Sequence, residues 1–359
     1  MESSLSERSQ LFKETPSLSV VVNNYNYAAY LPEALDSALS QLGPEDEVVV
    51  VDDGSTDESA SVLARYRGRA GLRIIEQSNQ GQLAAVLNGL EASRGELCLL
   101  LDSDDWFLPD YLARLRCLGK ANPDVDLFFS APQAGGSSIK AAAKMQSLMS
   151  AMALPEGETG VTRWGAWASG EFVGTPTSGL AMRRGLVKRF LNVRDRLPDW
   201  VPEDQRPSTR LIPADSHTAF RLSADGLIVC GSSIAGVRKY YCPEPAFYYR
   251  VHGSNAYATL GRLSRVYLRL YRARQVARIA SAAFELRAPP CLAEVLAEVR
   301  QRSRPLRWRR RLRLALNYQV AVLRSRGHWF DRAVAQGTVL RHFLLPMQRS
   351  AQTTGGTYQ

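Results

Sequence analysis

The sequence predicts an α/β chain: a doubly wound, mostly parallel sheet, followed by a helical, arginine-rich appendage. Three observations carry that expectation. Between residues 17 and 130, short apolar runs alternate with segments of helical period. Polar clusters close the apolar runs, at Asn23 to Asn26, Asp52-Asp53, Asn79 to Gly81 and Asp102 to Asp105. Finally, residues 261–359 hold 20 arginines, no lysine and 4 acids, so the chain's net +10 comes from its last quarter.

The elements follow in order. Residues 1–16 are polar and end in Pro16, the pattern of a frayed leader. Leu18 to Val22 reads as a strand and Asn23 to Asn26 as the turn after it. Tyr27 to Gln41 has helical spacing, with Pro32 acceptable only in the first turn. Glu47 to Val51 is a second strand. Ser55 or Thr56 is placed to cap a helix running to about Arg67, with Asp57 and Glu58 in its first turn. Leu72 to Glu76 is a third strand, and a helix carrying Leu83, Val86, Leu87 and Leu90 on one face follows Gly81. Leu97 to Leu101 is an unbroken apolar run, suited to a strand buried on both faces. A helix from about Pro109 to Gly119 and a strand from Val125 to Ser130 complete the alternation.

Composition narrows the class. Apolar content of 45% and charged content of 22% describe a globular chain, and no run of 18 apolar residues suggests a membrane span. Residues 1–16 show no signal-peptide pattern. Five scattered cysteines without CxxC spacing point to a reducing compartment, hence the cytoplasm, and away from a disulfide framework or structural zinc. Neither a GxGxxG after the first strand nor a GxxxxGK[ST] is present, which disfavours dinucleotide and P-loop readings.

The strand Leu97 to Leu101 ends in Asp102, Asp104 and Asp105. Carboxylates this close raise one another's pKa unless a cation lies between them. Asp102 and Asp104 can turn toward one hard divalent ion; the alternative is a solvated acidic turn before the next helix. In open α/β sheets, ligands bind beyond the C-terminal ends of the strands, where all four polar clusters fall.

SVVVNNYNYAAYLPEALDSALSQ, VVVVDDGSTDES and NQGQLAAVLNGLEASRGELCLLLDSDDWFLPDYL together resemble the nucleotide-sugar-binding half of family 2 glycosyltransferases of GT-A fold, over about residues 17–130. The resemblance implies inverting, metal-dependent transfer of a sugar from a nucleotide-diphosphate donor, most simply a UDP-sugar, to an acceptor hydroxyl. It implies that Asp53 meets the uracil ring, with Tyr25 and Asn23 beside the base. Asp102 would lie near the ribose or the ion, and Asp104 on the Mg2+ or Mn2+ that holds the diphosphate; Asp105 is a further possible member. Asp52 reads as a turn and capping residue.

Residues 131–165 show no decisive period and leave room for a helix or loop over the site. FVGTPTSGLAM (172–182) resembles the family's acceptor-side segment, with Thr177 and Ser178 within it. Arg183-Arg184 opens a helix that stops before Pro198. Asp215, just before an amphipathic helix start, matches the family's catalytic base; Ala214 stands where the family has Glu, and Glu203-Asp204 is a rival. YYRVHGSN (248–255) resembles the segment closing the catalytic domain. It places Arg250 and His252 near the leaving diphosphate, with His252 able to complete a metal shell.

The expected organisation is a leader (1–16), a catalytic domain (17–258) and a basic helical region (259–359), with helices beginning near Gly261, Cys291 and Arg307. The arginine-rich helices leave three readings open: an anionic membrane surface at the inner face of the membrane, through residues 261–350; a solvated face or oligomer contact; or nucleic acid, disfavoured because no nucleic-acid module is recognisable. The expected partners are a nucleotide-sugar donor and a saccharide or lipid-linked glycan acceptor in surface polysaccharide assembly. The alternatives are a binding-only member of the fold and a basic scaffold.

Overall fold

A computed structural model describes residues 15–136, 139–151, 154–201, 221–252, 262–302 and 308–344. The chain divides into two compact units, Met1–Leu286 and Arg287–Gln359.

In the first unit, β1 (Leu18–Asn24), β2 (Glu47–Asp53), β3 (Leu72–Gln77) and β4 (Leu97–Asp102) pair in parallel in the order β3-β2-β1-β4. Each connection carries one helix: α1 (Leu31–Leu39), α2 (Ser59–Tyr66) and α3 (Gln82–Ala92). Pro32 sits in the first turn of α1, where a missing N–H costs no intrahelical bond. Alternate residues serve opposite faces. Val20, Val22, Leu99 and Leu101 join one core with α1, α2 and α4 (Tyr111–Ala121), and Val21, Cys98 and Leu100 join another with α3. Burial on both faces explains why these strands read as unbroken apolar runs.

One expectation needs correction. The helix after the second strand starts at Ser59, and neither Ser55 nor Thr56 caps it. Ser55 is held elsewhere: its hydroxyl donates to Asp52 Oδ1 at 2.6 Å and accepts the Asn26 N–H at 2.9 Å. The strand expected at 125–130 is observed as β6 (Leu127–Gly136), which does not pair with β4. An antiparallel strand, β8 (Leu180–Arg183), lies between them. Leu180, Ala181 and Met182 are fully buried there; these three apolar residues at the end of FVGTPTSGLAM supply the apolar surface that slot requires.

The rest of the sheet returns the chain to the tip of β4. β9 (Lys239–Val251) runs parallel to β6, with register breaks around Ala131, and then pairs antiparallel with β5 (Trp106–Phe107). That pairing sets Trp106 against Tyr248, rings stacked at 3.9 Å, and delivers Arg250 and His252 beside the acidic turn. Between β6 and β9 the chain forms α5 (Ile139–Ala151), β7 (Gly157–Glu158), α6 (Arg163–Ser169), α7 (Arg184–Leu191) and α8 (Ala224–Ile234). α9 (Arg262–Ala283) packs on α8 within the same unit.

The opposite end of the sheet is pinned by a buried ion pair. Asp46 Oδ1 accepts Leu18 N–H at 2.8 Å and Arg116 Nη1 at 2.9 Å; Oδ2 accepts Gly43 N–H at 2.6 Å and Arg116 Nη2. The side chains are 0% and 3% exposed, and burial lowers the Arg116 pKa to about 10.

The second unit contains α10 (Leu292–Arg302), α11 (Trp308–Leu323) and α12 (Trp329–Leu344). Tyr318 is its buried centre: the ring stacks on Phe343, and the hydroxyl donates to Glu298 Oε1 at 2.7 Å while accepting from Arg302 Nη1 at 2.9 Å. No helix among the described residues is long and apolar enough to cross a membrane.

Candidate active site

Register gathers the polar clusters. Asn23 pairs with Asp102 across β1 and β4, Asn24 with Asp52 across β1 and β2, and Asp53 with Gln77 across β2 and β3. Parallel strands of matched length therefore present one row of amides and carboxylates at their C-terminal ends.

Within that row the acids do different work. Asp52 accepts from Asn24 Nδ2 and from the Ser55 N–H and hydroxyl, a turn-holding role. Asn26, at φ 58°, has its Oδ1 accepting the Thr56 N–H at 2.7 Å, which ties the loops after β1 and β2 together. Asp53, 3% exposed, accepts from Gln77 Nε2 and from the N–H groups of Gln80 and Gly81 at 2.8–2.9 Å. It thereby fixes the loop leading into α3. Gly81 has φ 96°, and a Cβ there would fall 1.8 Å from Asp199 Oδ2, so any other residue would be strained and would displace the Asp199 carboxylate. Tyr25 stands at the rim with 45% of its surface exposed.

The centre is the tip of β4. One oxygen each from Asp102, Asp104 and Asp105 lies within 4.8 Å of the others. Asp102 Oδ1 accepts from Asn23 Nδ2 and Gln82 Nε2, both at 2.9 Å. Asp105, 2% exposed, accepts the Ser178 hydroxyl at 2.6 Å and the Arg250 N–H at 3.0 Å. Asp104 Oδ2 lies 3.0 Å from His252 Nε2, and its carbonyl accepts Arg250 Nε at 2.9 Å. Ser178 is fully buried, and its oxygen also accepts the Asp102 N–H at 3.1 Å. Thr177 is buried next to it in the turn before β8.

Sequence reasoning missed the shell around Arg250 and His252. The Arg250 guanidinium lies over the rings of Tyr30 and Trp106, at 4.6 and 4.5 Å, and pairs with Glu33. His252 packs against Tyr27 and Tyr30. The three-residue spacing of Tyr27 and Tyr30, just ahead of Glu33, was the available signal. Gln82 on Asp102 was equally overlooked. So was Asp199, whose carboxyl burial raises to about 6 against the opposing charge of Arg221. Asp215, Asp204 and Ala214 lie outside the described residues.

Electrostatics make the acid cluster unusual. Burial, then the Asp104 charge, raises the Asp102 pKa to about 7, and the same causes push Asp105 well above the carboxylate range. Tyr27 and Tyr249 are also raised, first by burial and then by the acids. Oxygen-only donors, crowded and costly to ionise together, form a set that suits a hard divalent cation.

The sign of the pH effect follows. An unfolded Asp titrates near about 3.9, so between that value and about 7 the folded chain binds the Asp102 proton more tightly than the unfolded chain does. Without metal, stability should therefore rise as pH falls through this window. Asp102→Asn, which cannot ionise, should raise the melting temperature in EDTA clearly at about pH 8 and little at about pH 5. An equal gain at both values would refute the coupling.

The chain is similar to known glycosyltransferases. Residues 19–144 match the family described as Glycosyl transferase family 2. An uncharacterized glycosyltransferase of Nostoc sp. is 32% identical over 243 residues, 66% of each chain. An undecaprenyl-phosphate 4-deoxy-4-formamido-L-arabinose transferase of Pseudomonas aeruginosa is 44% identical over 104 residues, 27% of this chain and 31% of its own. The chain thus spans just under two thirds of the first relative and about a third of the second. Among solved structures, S. aureus TarS in complex with UDP-GlcNAc aligns with a TM-score of 0.47 at 17% identity, covering 91% of this chain and 81% of that one.

Proposed function

We propose that this chain, whose residues 19–144 match the family described as Glycosyl transferase family 2, transfers a sugar, with inversion, from a UDP-sugar to an acceptor hydroxyl. The observation that supports this most is the carboxylate cluster at the tip of β4, set in one row with Asn23 and Asp53.

Asp102 and Asp104, with Asp105 behind them, would hold Mg2+ or Mn2+, whose positive charge offsets that of a departing diphosphate. The chain's own residues do the rest. Asp53 faces the uracil imide and Tyr25 covers the base, with Asn23 on the same edge. Arg250 and His252 keep the Asp104 turn in place through its carbonyl and carboxylate. Ser178 spaces Asp105 from the Asp102 backbone, and Thr177 lies on the acceptor side of that turn. Asp215 removes the acceptor hydroxyl proton. As the acceptor oxygen bonds to the anomeric carbon, the bond to the diphosphate oxygen breaks and its electron pair leaves with UDP.

The acceptor proposed is a saccharide or lipid-linked glycan in surface polysaccharide assembly. The direct test is release of UDP from a panel of UDP-sugars by the purified chain with Mn2+. Turnover on at least one sugar, abolished by EDTA, is expected; turnover undiminished by EDTA would overturn the metal assignment.

A further inference from the structure

The second unit exposes apolar surface in a way the first does not. Of eleven large hydrophobic residues left exposed among the described residues, nine lie between 308 and 344. Isolated exposed leucines need no explanation, but contiguous apolar faces mark contact surfaces.

Helical geometry makes the exposed residues contiguous along each helix. α11 turns Leu314, Tyr318, Ala321 and Val322 to the core of its unit. At 100° per residue, Trp308, Leu312, Leu316 and Leu323 share the adjoining side, all exposed, with Trp308 at 69%. Arg309 and Arg313, one position further round, border that side. α12 buries only Ala335, Val339 and Phe343. It leaves Trp329, Phe330, Val334 and Leu344 outside, Trp329 at 66% and Phe330 at 58%. Residues 308–344 carry eight arginines and a single acid, Asp331.

We propose that this α11–α12 face, tryptophans and leucines bordered by arginines, docks on an anionic phospholipid surface. The combination selects the occupant. Tryptophan rings settle at the headgroup boundary, leucine and phenylalanine below it, and arginine stems lie along apolar surface with their heads at lipid phosphates. A second copy fits less well, because a two-fold contact would set arginine against arginine. Nucleic acid would use the arginines but has no use for an aliphatic row. This face is independent of the donor site, since none of its residues belongs to the first unit.

Flotation of the full-length chain with phosphatidylglycerol-containing vesicles, against pure phosphatidylcholine vesicles, tests the proposal. Wild type should float with the first and not the second. The triple variant Trp308→Ser, Trp329→Ser, Phe330→Ser should bind at least about tenfold more weakly, with an unchanged melting temperature because all three side chains are exposed. Arg309→Gln with Arg313→Gln should also weaken flotation, on the order of fivefold per charge at low salt.

Three results would overturn the proposal: no flotation of wild type; flotation of the triple variant equal to wild type; or a concentration-dependent dimer in sedimentation, lost in the triple variant, with no vesicle binding. Retention on single-stranded RNA without vesicle binding would assign the surface to nucleic acid instead.

Discussion

Asp215→Asn is expected to lower transfer by on the order of 10² to 10⁴-fold while leaving Mn2+-dependent UDP affinity unchanged. Deprotonation of the acceptor is the one step in the proposed reaction that needs a free carboxylate away from the ion. The β4-tip acids are unsuited to it: Asp105 is 2% exposed and occupied by Ser178 and Arg250, and Asp104 is engaged by His252. The amide keeps the shape of the carboxyl and removes its basicity, so KM for the donor should hold while kcat falls. A kcat within a few-fold of wild type would move the role elsewhere. Asp204→Asn made in parallel decides between the two candidates.

Arg116→Met is expected to destabilise the first unit by about 3–5 kcal/mol, read as a shift in its urea unfolding midpoint. The guanidinium meets both oxygens of Asp46. Removing it leaves a buried carboxylate with two backbone N–H donors, from Leu18 and Gly43. Breaking one side of a buried pair costs more than replacing both sides. Adding Asp46→Asn to Arg116→Met should therefore recover part of the loss, and a double variant less stable than the single one would contradict this account.

How much of this was legible beforehand depended on how local the signal was. β1 to β4 and their helices could be read because burial on both faces forces unbroken apolar runs, and register then aligned Asn23, Asp53 and Asp102 without further information. The antiparallel β8 could not be read. Leu180 to Arg183 is a four-residue strand whose place between β4 and β6 is set by pairing with residues more than fifty positions away. The late start of α2 was hidden for a related reason. Ser55 has the chemistry of a cap, but Asp52, Asn24 and Asn26 compete for its side chain.

At the site, the carboxylates announced themselves in the sequence because acids at a buried strand end are costly. Their supports did not. Ser178, Glu33 and Gln82 are ordinary loop or helix residues until the fold sets them beside Asp105, Arg250 and Asp102. The exposed faces of α11 and α12 were likewise hidden, since a periodic leucine pattern does not say which side is covered.

The claim on which the rest depends is that the β4-tip acids accept a cation that helps hold a nucleotide diphosphate. Titration calorimetry of UDP into wild type and Asp104→Ala, each with and without Mn2+, tests it most directly. Wild type should bind UDP at least about tenfold more tightly with Mn2+ than without, and Asp104→Ala should show no such difference. Equal affinity for wild type in the two conditions, or an undiminished manganese effect in Asp104→Ala, would contradict the account.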